Sequence, residues 1–307
     1  MNGPRAASSR RDRLSERLLE AAARAVEVVA MPVDRALARR TRVLDRIPTL
    51  PHRQGGKRSY AEWAWVIGLL QALVGDLLDG VDEPEIVDVG CGSGLVLIAA
   101  ENSVADGGRL LGLDVQDEAI EFCRRHYPSP PYRFAALPDG HPLYAAHRPD
   151  GTDPGPGSPR WPVASDSVDL VTALSVLTHL RREEAGALLD ETARVLRPGA
   201  SALVSVFLVD PEVDDLPVAG SPPSDPRPGS SRFHRTDPRH WRFDRTIDEG
   251  WFSPSWADPP ERAIGLTRAA LDDLATGAGL TVERVRPGTW RERRGLYFQD
   301  LVVLRAP

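Results

Sequence analysis

The chain has 307 residues, of which 41% are hydrophobic and 27% charged, and this composition is typical of a globular protein. Its net charge of -6 is uneven, because residues 1–60 carry 14 basic and 6 acidic residues whereas the remainder carries 24 and 38. The acidic main body argues against a nucleic-acid partner. Two cysteines, with no metal-binding spacing around them, argue against a disulfide framework or a zinc site.

Residues 1–59 predict a basic, helical N-terminal extension. Leu14, Leu18 and Ala22 recur at helical spacing over residues 12–46, and Pro32 would separate two helices. These helices could lie on an anionic membrane surface, or they could pack on the main domain or on a second copy as a homodimer; four acidic residues favour packing. No apolar run approaches the roughly 20 residues that span a bilayer, so we expect a cytoplasmic protein without stable membrane insertion.

Residues 60–307 predict one α/β domain, in which helices alternate with strands of a doubly wound, parallel sheet. Between the fifth strand and the last helix, residues 209–260 contain six aromatic residues and predict either a lid or a surface excursion. The predicted helices span 60–78, 95–102, 117–126, 182–196 and 267–278, and the predicted strands span 85–89, 109–113, 132–136, 168–173, 201–208, 281–287 and 299–305.

The segment IVDVGCGSGL places three glycines directly after the first predicted strand, where a loop can bind an anionic or nucleotide-like ligand. A dinucleotide-binding loop would need a glycine where Leu95 stands. Asp88 would repel a pyrophosphate but could bind an ammonium group. Asp114 ends the next strand and could accept ribose hydroxyls, which fits either type of nucleotide ligand.

Four segments in order, VDVGCGSG, GLDVQDEAIEFCRR, SDSVDLVTALSVLTHL and RVLRPGASALVSVFLV, resemble class I S-adenosylmethionine-dependent methyltransferases. The resemblance covers roughly residues 80–210, and SVLTHL together with the later GTW and QD segments is similar to a bacterial group of these enzymes. It implies a Rossmann-like methyltransferase fold of seven mostly parallel strands, with the last strand antiparallel and inserted beside the sixth. It also implies S-adenosyl-L-methionine as the methyl donor.

The resemblance also implies roles for individual residues. The glycine loop would lie against the methionine part of the cofactor, Asp88 would face its amino group, Asp114 its ribose and Val115 its adenine. The adenine amino group often has an acidic partner after the third strand, for which Asp139 stands late. The expected cofactor-binding residues are Asp88, Gly90, Cys91, Gly92, Ser93, Gly94, Asp114, Val115 and Ser175.

The methyl acceptor is expected at the carboxyl ends of the strands. ALSVLTHL lacks the Asn/Asp-Pro-Pro-aromatic signature of enzymes that methylate nucleobases and amides. His179 is the first candidate general base, unless it only hydrogen-bonds backbone at the start of the next helix; His240 in the aromatic segment is the second. Gln299 and Asp300 would lie near the acceptor, and Trp290 would either stack on it or close the domain edge.

These features favour transfer of methyl to the hydroxyl oxygen of a small molecule or glycan, without a metal. Two alternatives remain at this point: an N-methyltransferase for a small amine, and a cofactor-binding regulator without catalysis. A nicotinamide oxidoreductase would need a nucleotide loop that the sequence lacks.

Overall fold

The computed structural model describes residues 45–53, 59–127, 129–137, 160–210, 241–290 and 295–307, together with nine residues between 21 and 32. Those nine residues, Pro32 among them, are helical. Residues 33–44 lie outside the described ranges, so a second helix after Pro32 stays a prediction. Val26 and Val29 are 65% and 74% exposed, and they therefore do not pack on the described main domain.

A seven-stranded sheet forms the centre of the domain, in the order β3-β2-β1-β4-β5-β10-β9. β10 runs antiparallel to both of its neighbours, β5 and β9, whereas β1 to β5 pair in parallel. The predicted doubly wound sheet, with its last strand inserted beside the sixth, is confirmed. The strands are β1 Glu85–Val89, β2 Arg109–Asp114, β3 Tyr132–Ala136, β4 Val168–Ala173, β5 Leu196–Val206, β9 Thr281–Arg286 and β10 Asp300–Arg305.

Helices cover both faces of this sheet, because successive apolar residues of a strand point to opposite sides. Ile86 faces the cluster formed with α1, α2 and α3, whereas Val87 and Val89 face the cluster formed with α4 and α5. The helices are α1 Tyr60–Leu77, α2 Leu95–Ala99, α3 Asp117–His126, α4 Arg182–Val195 and α5 Arg268–Gly277. Among the described residues, no helix is both long and apolar enough to cross a membrane.

One predicted boundary is wrong. The strand predicted over 201–208 already begins at Leu196, so Pro198 and Gly199 lie within β5 and do not precede it. Val168 of β4 pairs with Leu196 and Leu170 pairs with Ser201, so the residues between Leu196 and Ser201 form a bulge. Gly199 has a φ of 74° there, a conformation that costs a glycine little.

A second, three-stranded antiparallel sheet follows β5, and the sequence analysis did not predict it. Its strands are β6 Arg245–Asp248, β7 Trp251–Ser253 and β8 Gly265–Leu266. Leu266 is bonded to the backbone on both sides of Leu208, which fixes this small sheet to the carboxyl end of β5. It therefore lies at the edge where the glycine loop also emerges; residues 211–240 of the predicted lid lie outside the described residues.

Candidate functional site

The glycine loop connects β1 to α2 and is fixed to the end of β2. The backbone N–H groups of Gly90 and Cys91 both donate to the carbonyl of Leu113, at 2.8 and 3.0 Å. Gly90 and Gly94 have φ values of 69° and 88°, which side chains disfavour. A Cβ on Gly90 would lie 2.5 Å from a methyl group of Val176. The loop therefore needs glycine both for its backbone shape and for its close contact with the segment after β4.

Asp88 is buried beneath this loop, at 2% exposure. Its Oδ1 accepts a 2.7 Å hydrogen bond from the hydroxyl of Thr172, the residue opposite it on β4. Burial raises the pKa of Asp88 to about 7, the Thr172 bond opposes that rise, and the negative Asp114 adds to it. Oδ2 of Asp88 is buried without a hydrogen-bond partner in the structure. A buried carboxylate oxygen that lacks a donor fits a ligand that brings one, such as an ammonium group.

Asp114 links the glycine loop to the start of α3. One carboxylate oxygen accepts from the N–H of Gly92 at 2.8 Å, and the other accepts from the N–H of Gln116 at 2.9 Å. A carboxylate has about four lone-pair directions, of which these two bonds use two. Val115 is the next residue and is half-buried, as expected for a side chain that contacts a flat ring. Binding of ribose by Asp114 and of adenine by Val115 stay predictions.

Residues outside the motif support the loop from below. The hydroxyl of Tyr127 donates to the carbonyl of Ser93 at 2.8 Å, and the Tyr127 ring would lie 2.7 Å from a Cβ on Gly94. The thiol of Cys123 donates to the carbonyl of Gly92 at 3.2 Å. A hydrogen bond with Cys123 and burial raise the pKa of the Cys91 thiol, so Cys91 is a neutral packing residue. No sequence signal marked Tyr127.

His179 lies one turn beyond the contact between Val176 and Gly90. It ends the 3-10 helix Leu177–His179 instead of beginning α4, as the sequence analysis expected. Its Nδ1 lies 2.8 Å from the carbonyl oxygen of Glu261. A carbonyl only accepts, so Nδ1 carries a hydrogen, and the lone pair of the neutral ring is then on Nε2. The tautomer is thus the one that a base acting through Nε2 requires.

Glu261, the residue that fixes His179, lies in the 3-10 helix Pro260–Arg262 between β7 and β8. Its side chain is 3% exposed and is paired with Arg181 at 2.5 Å. The N–H of Ile264 also donates to the carbonyl of Thr178 at 2.7 Å. The small sheet therefore orients the candidate base, a function that the aromatic segment's sequence did not reveal.

A hydrogen-bonded cluster of Ser175, Ser205 and Gln299 lies between β4, β5 and β10. Ser175 adopts a left-handed φ of 59° and donates from its N–H to Oγ of Ser205 at 2.7 Å. Oε1 of Gln299 accepts from Oγ of Ser205 at 2.6 Å and from Oγ of Ser175 at 2.9 Å. The side chain of Ser175 is thus directed to Gln299, and its predicted cofactor contact is untested.

Asp300 and Trp290 bond each other and the surrounding backbone. The Asp300 carboxylate accepts from the indole Nε1 of Trp290 and the N–H of Leu208, both at 2.8 Å, and from the N–H of Gly288 at 2.7 Å. Both side chains are 1% exposed. This arrangement joins β10 to the segment after β5; the predicted place of Asp300 near the acceptor and the two alternatives for Trp290 stay predictions.

Several expected residues lie outside the described ranges, among them His240 and Asp139. Their predicted roles stay predictions. Among the residues that the structure describes, no group of three or more histidines, cysteines and carboxylates could hold a metal ion.

Residues 87–202 match the family model of the methyltransferase domain. The match begins in β1 and ends in β5, so it contains the glycine loop, Asp88, Asp114 and the segment with His179. This part of the chain is therefore similar to methyltransferase domains.

Individual relatives are distant. An uncharacterized 37.1 kDa protein of transposon TN4556 from Streptomyces fradiae is 28% identical over 143 residues, which are 47% of this chain and 34% of that protein. A S-adenosylmethionine-dependent methyltransferase from Methanosarcina mazei is 19% identical, with 76% of this chain and 96% of that chain covered and a TM-score of 0.48. Magnesium protoporphyrin IX methyltransferase from Synechocystis is 14% identical, with 90% and 100% covered and a TM-score of 0.47.

Proposed function

We propose that the protein transfers the methyl group of S-adenosylmethionine to the hydroxyl oxygen of a small molecule or saccharide. The observation that carries the proposal is the position of His179, whose Nε2 has the lone pair of a base and which lies one turn from the cofactor loop. The acceptor would enter from the same edge, between the loop and the small sheet.

The residues of the loop fit the cofactor. Oδ2 of Asp88 lacks a donor, and an ammonium group would supply it. Asp114 would accept ribose hydroxyls beside its bonds with the N–H groups of Gly92 and Gln116, and the glycines would bring backbone close to the ligand. The cofactor, when bound, supplies a methyl group that is already electrophilic because it is attached to a sulfonium.

The protein itself would hold the acceptor oxygen in line with the methyl group and take up a proton. The acceptor oxygen gains a carbon–oxygen bond as the carbon–sulfur bond breaks, and His179 Nε2 receives the hydroxyl proton. Alignment can lower a barrier by roughly 7–11 kcal/mol, and a positioned base contributes about two to four powers of ten. The carbonyl of Glu261 keeps the ring in place throughout.

Substitution of His179 by alanine tests this role. We expect kcat for methyl transfer to fall about 100- to 10,000-fold, while the affinity for S-adenosylhomocysteine stays within about twofold. The matched control is His126→Ala, since His126 also directs Nδ1 to a carbonyl, that of Phe122 at 2.9 Å, but lies at the end of α3. Release of S-adenosylhomocysteine and calorimetric binding are the two measurements.

Equal rates for wild type and His179→Ala would remove the base from the proposal. An amine acceptor would be indicated if the rate instead followed deprotonation of the acceptor and not of the protein. Cofactor binding without turnover of any hydroxyl or amine acceptor would favour the alternative, a cofactor-binding regulator without catalysis.

A further inference from the structure

Gln299 is the buried polar group at the acceptor edge that the cofactor does not explain. Its side chain ends the turn before β10 and is 7% exposed. The N–H of Ser175 donates to Oγ of Ser205, and the hydroxyl of Ser205 donates to Oε1 of Gln299. The hydroxyl of Ser175 donates to the same oxygen. In this arrangement both serine hydroxyls bond the carboxamide oxygen and leave the nitrogen to other partners.

This orientation sends the amide nitrogen of Gln299 toward the 3-10 helix that carries His179. The described partner of Nε2 is Oγ1 of Thr178, at the long distance of 3.5 Å. An amide nitrogen has two hydrogens, and among the described residues the second has no acceptor. A buried donor without an acceptor costs free energy unless a ligand accepts from it.

The carboxylates on the elements around Gln299, Glu261 and Asp300, already have partners. Glu261 is paired with Arg181, and Asp300 accepts three N–H groups. Neither carboxylate is placed to neutralise the charge of an ammonium group, and the amide N–H of Gln299 would repel such a group. An uncharged hydroxyl is complementary, because it can accept from Gln299 Nε2 while it donates to His179 Nε2.

Aromatic rings cluster around Phe298, the residue that precedes Gln299 in the chain. Phe298 precedes Gln299 and is half-buried; its ring centroid is 5.1 Å from that of Trp241 and 5.9 Å from that of Phe207. Trp241, also half-buried, is 5.5 Å from Trp256. These rings form an apolar wall at the carboxyl end of β5, which suits a flat ring more than a flexible, fully hydroxylated chain.

We propose that Gln299 holds the acceptor oxygen through Nε2, with Phe298 and Trp241 against the acceptor's ring, so that the enzyme selects an uncharged hydroxyl on an aromatic ring. This inference rests on the proposed function and names the acceptor class for the same site. Gln299 then sets the preference for oxygen over amine nitrogen, while His179 removes the proton.

The test compares catechol with o-xylylenediamine, a benzylic diamine that is protonated at neutral pH, as acceptors for wild type, Gln299→Glu and Gln71→Glu. Gln299→Glu keeps an oxygen for the two serines and replaces the donor by an acceptor; Gln71 lies half-buried on α1 and gives a matched control. We expect wild type to prefer catechol, and Gln299→Glu to lower kcat/KM for catechol about 10- to 100-fold and to reduce that preference. The affinity of Gln299→Glu for S-adenosylhomocysteine should be unchanged. The control Gln71→Glu should keep the wild-type kcat/KM for both acceptors.

A second variant covers the case in which Gln299→Glu does not fold. Ser205→Ala removes one of the two bonds that fix the amide, and a smaller loss of the same preference is expected. Wild-type rates with catechol in both variants would overturn the inference and leave the proposed hydroxyl chemistry intact. Wild-type transfer to the diamine alone would overturn both. Catechol that neither binds nor reacts would overturn the acceptor class.

Discussion

Asp88 is the residue whose protonation most affects this molecule. Its pKa is raised to about 7 from an ordinary value of 3.8, first because it is buried. Well below pH 4 the carboxyl is protonated in the folded and the unfolded chain, so its raised pKa does not lower the free energy of unfolding. As the pH rises from about 4 to 7 the unfolded chain loses this proton while the folded chain keeps it, and stability is lost; above 7 the loss is complete.

Asp88→Asn should therefore become more stable relative to wild type as the pH rises. At about 1.4 kcal/mol per pKa unit, the difference in free energy of unfolding should grow by about 3 kcal/mol between pH 5 and pH 8. Urea unfolding of the cofactor-free protein measures it, with Asp106→Asn as the control because Asp106 is exposed. A difference that does not change with pH would mean that Asp88 is ionised in the folded protein throughout.

At the scale of single residues, the members of the motif could be predicted from the sequence, but their hydrogen-bond partners could not. Asp88 and Asp114 were predicted from their positions at strand ends. Thr172, which bonds Asp88, is 84 residues away, and Glu261, which bonds His179, is 82 residues away. Such pairs depend on strand register and on the position of the small sheet, which a single sequence does not specify.

The glycine loop is shaped by the elements around it as much as by its own residues. Gly94 leaves room for the ring of Tyr127, which follows the last residue of α3, and the buried hydroxyl of Tyr127 donates to the carbonyl of Ser93. Burial also raises the pKa of the Tyr127 phenol, so the group stays neutral. The loop conformation thus depends on α3.

Tyr127→Phe should loosen the loop without removing the ring. We expect a loss of about 1 kcal/mol in the free energy of unfolding and a two- to tenfold lower affinity for S-adenosylhomocysteine. The control is Tyr132→Phe, because Tyr132 is also a buried tyrosine and its ring centroid is 6.4 Å from that of Tyr127, but its hydroxyl is hydrogen-bonded to Arg46 and not to the loop. The control variant should lose stability but keep its affinity for S-adenosylhomocysteine. Lower affinity in the control but not in Tyr127→Phe would refute the link between Tyr127 and the loop.

The elements that the sequence analysis missed are the short ones. β6, β7 and β8 have four, three and two residues, too few for an alternating pattern to be read. Their aromatic residues could be read from the sequence, but the small sheet is attached to the main sheet through the bridge between Leu266 of β8 and Leu208, which follows β5. The long strands and helices of the main sheet were predicted within a few residues, since each has enough apolar residues to define its period.

At the scale of the whole molecule, the sheet order brings the predicted residues to one edge. β1 lies between β2 and β4, so Asp88, Asp114 and Ser175 meet around the loop, and β10 inserted beside β5 brings Gln299 to the same place. The resemblance in sequence predicted seven mostly parallel strands, with the last strand antiparallel and inserted beside the sixth. It did not predict the small sheet, because that sheet lies beyond residues 80–210, which carry the resemblance.

The central claim is that the loop between β1 and α2 binds S-adenosylmethionine. Calorimetric titration of the purified protein with S-adenosylmethionine, S-adenosylhomocysteine and NADH in parallel tests it most directly. The structure predicts one molecule of each of the first two per chain and no binding of NADH. Binding of NADH, or of none of the three, would contradict the assignment of the loop and, with it, the proposed acceptor site.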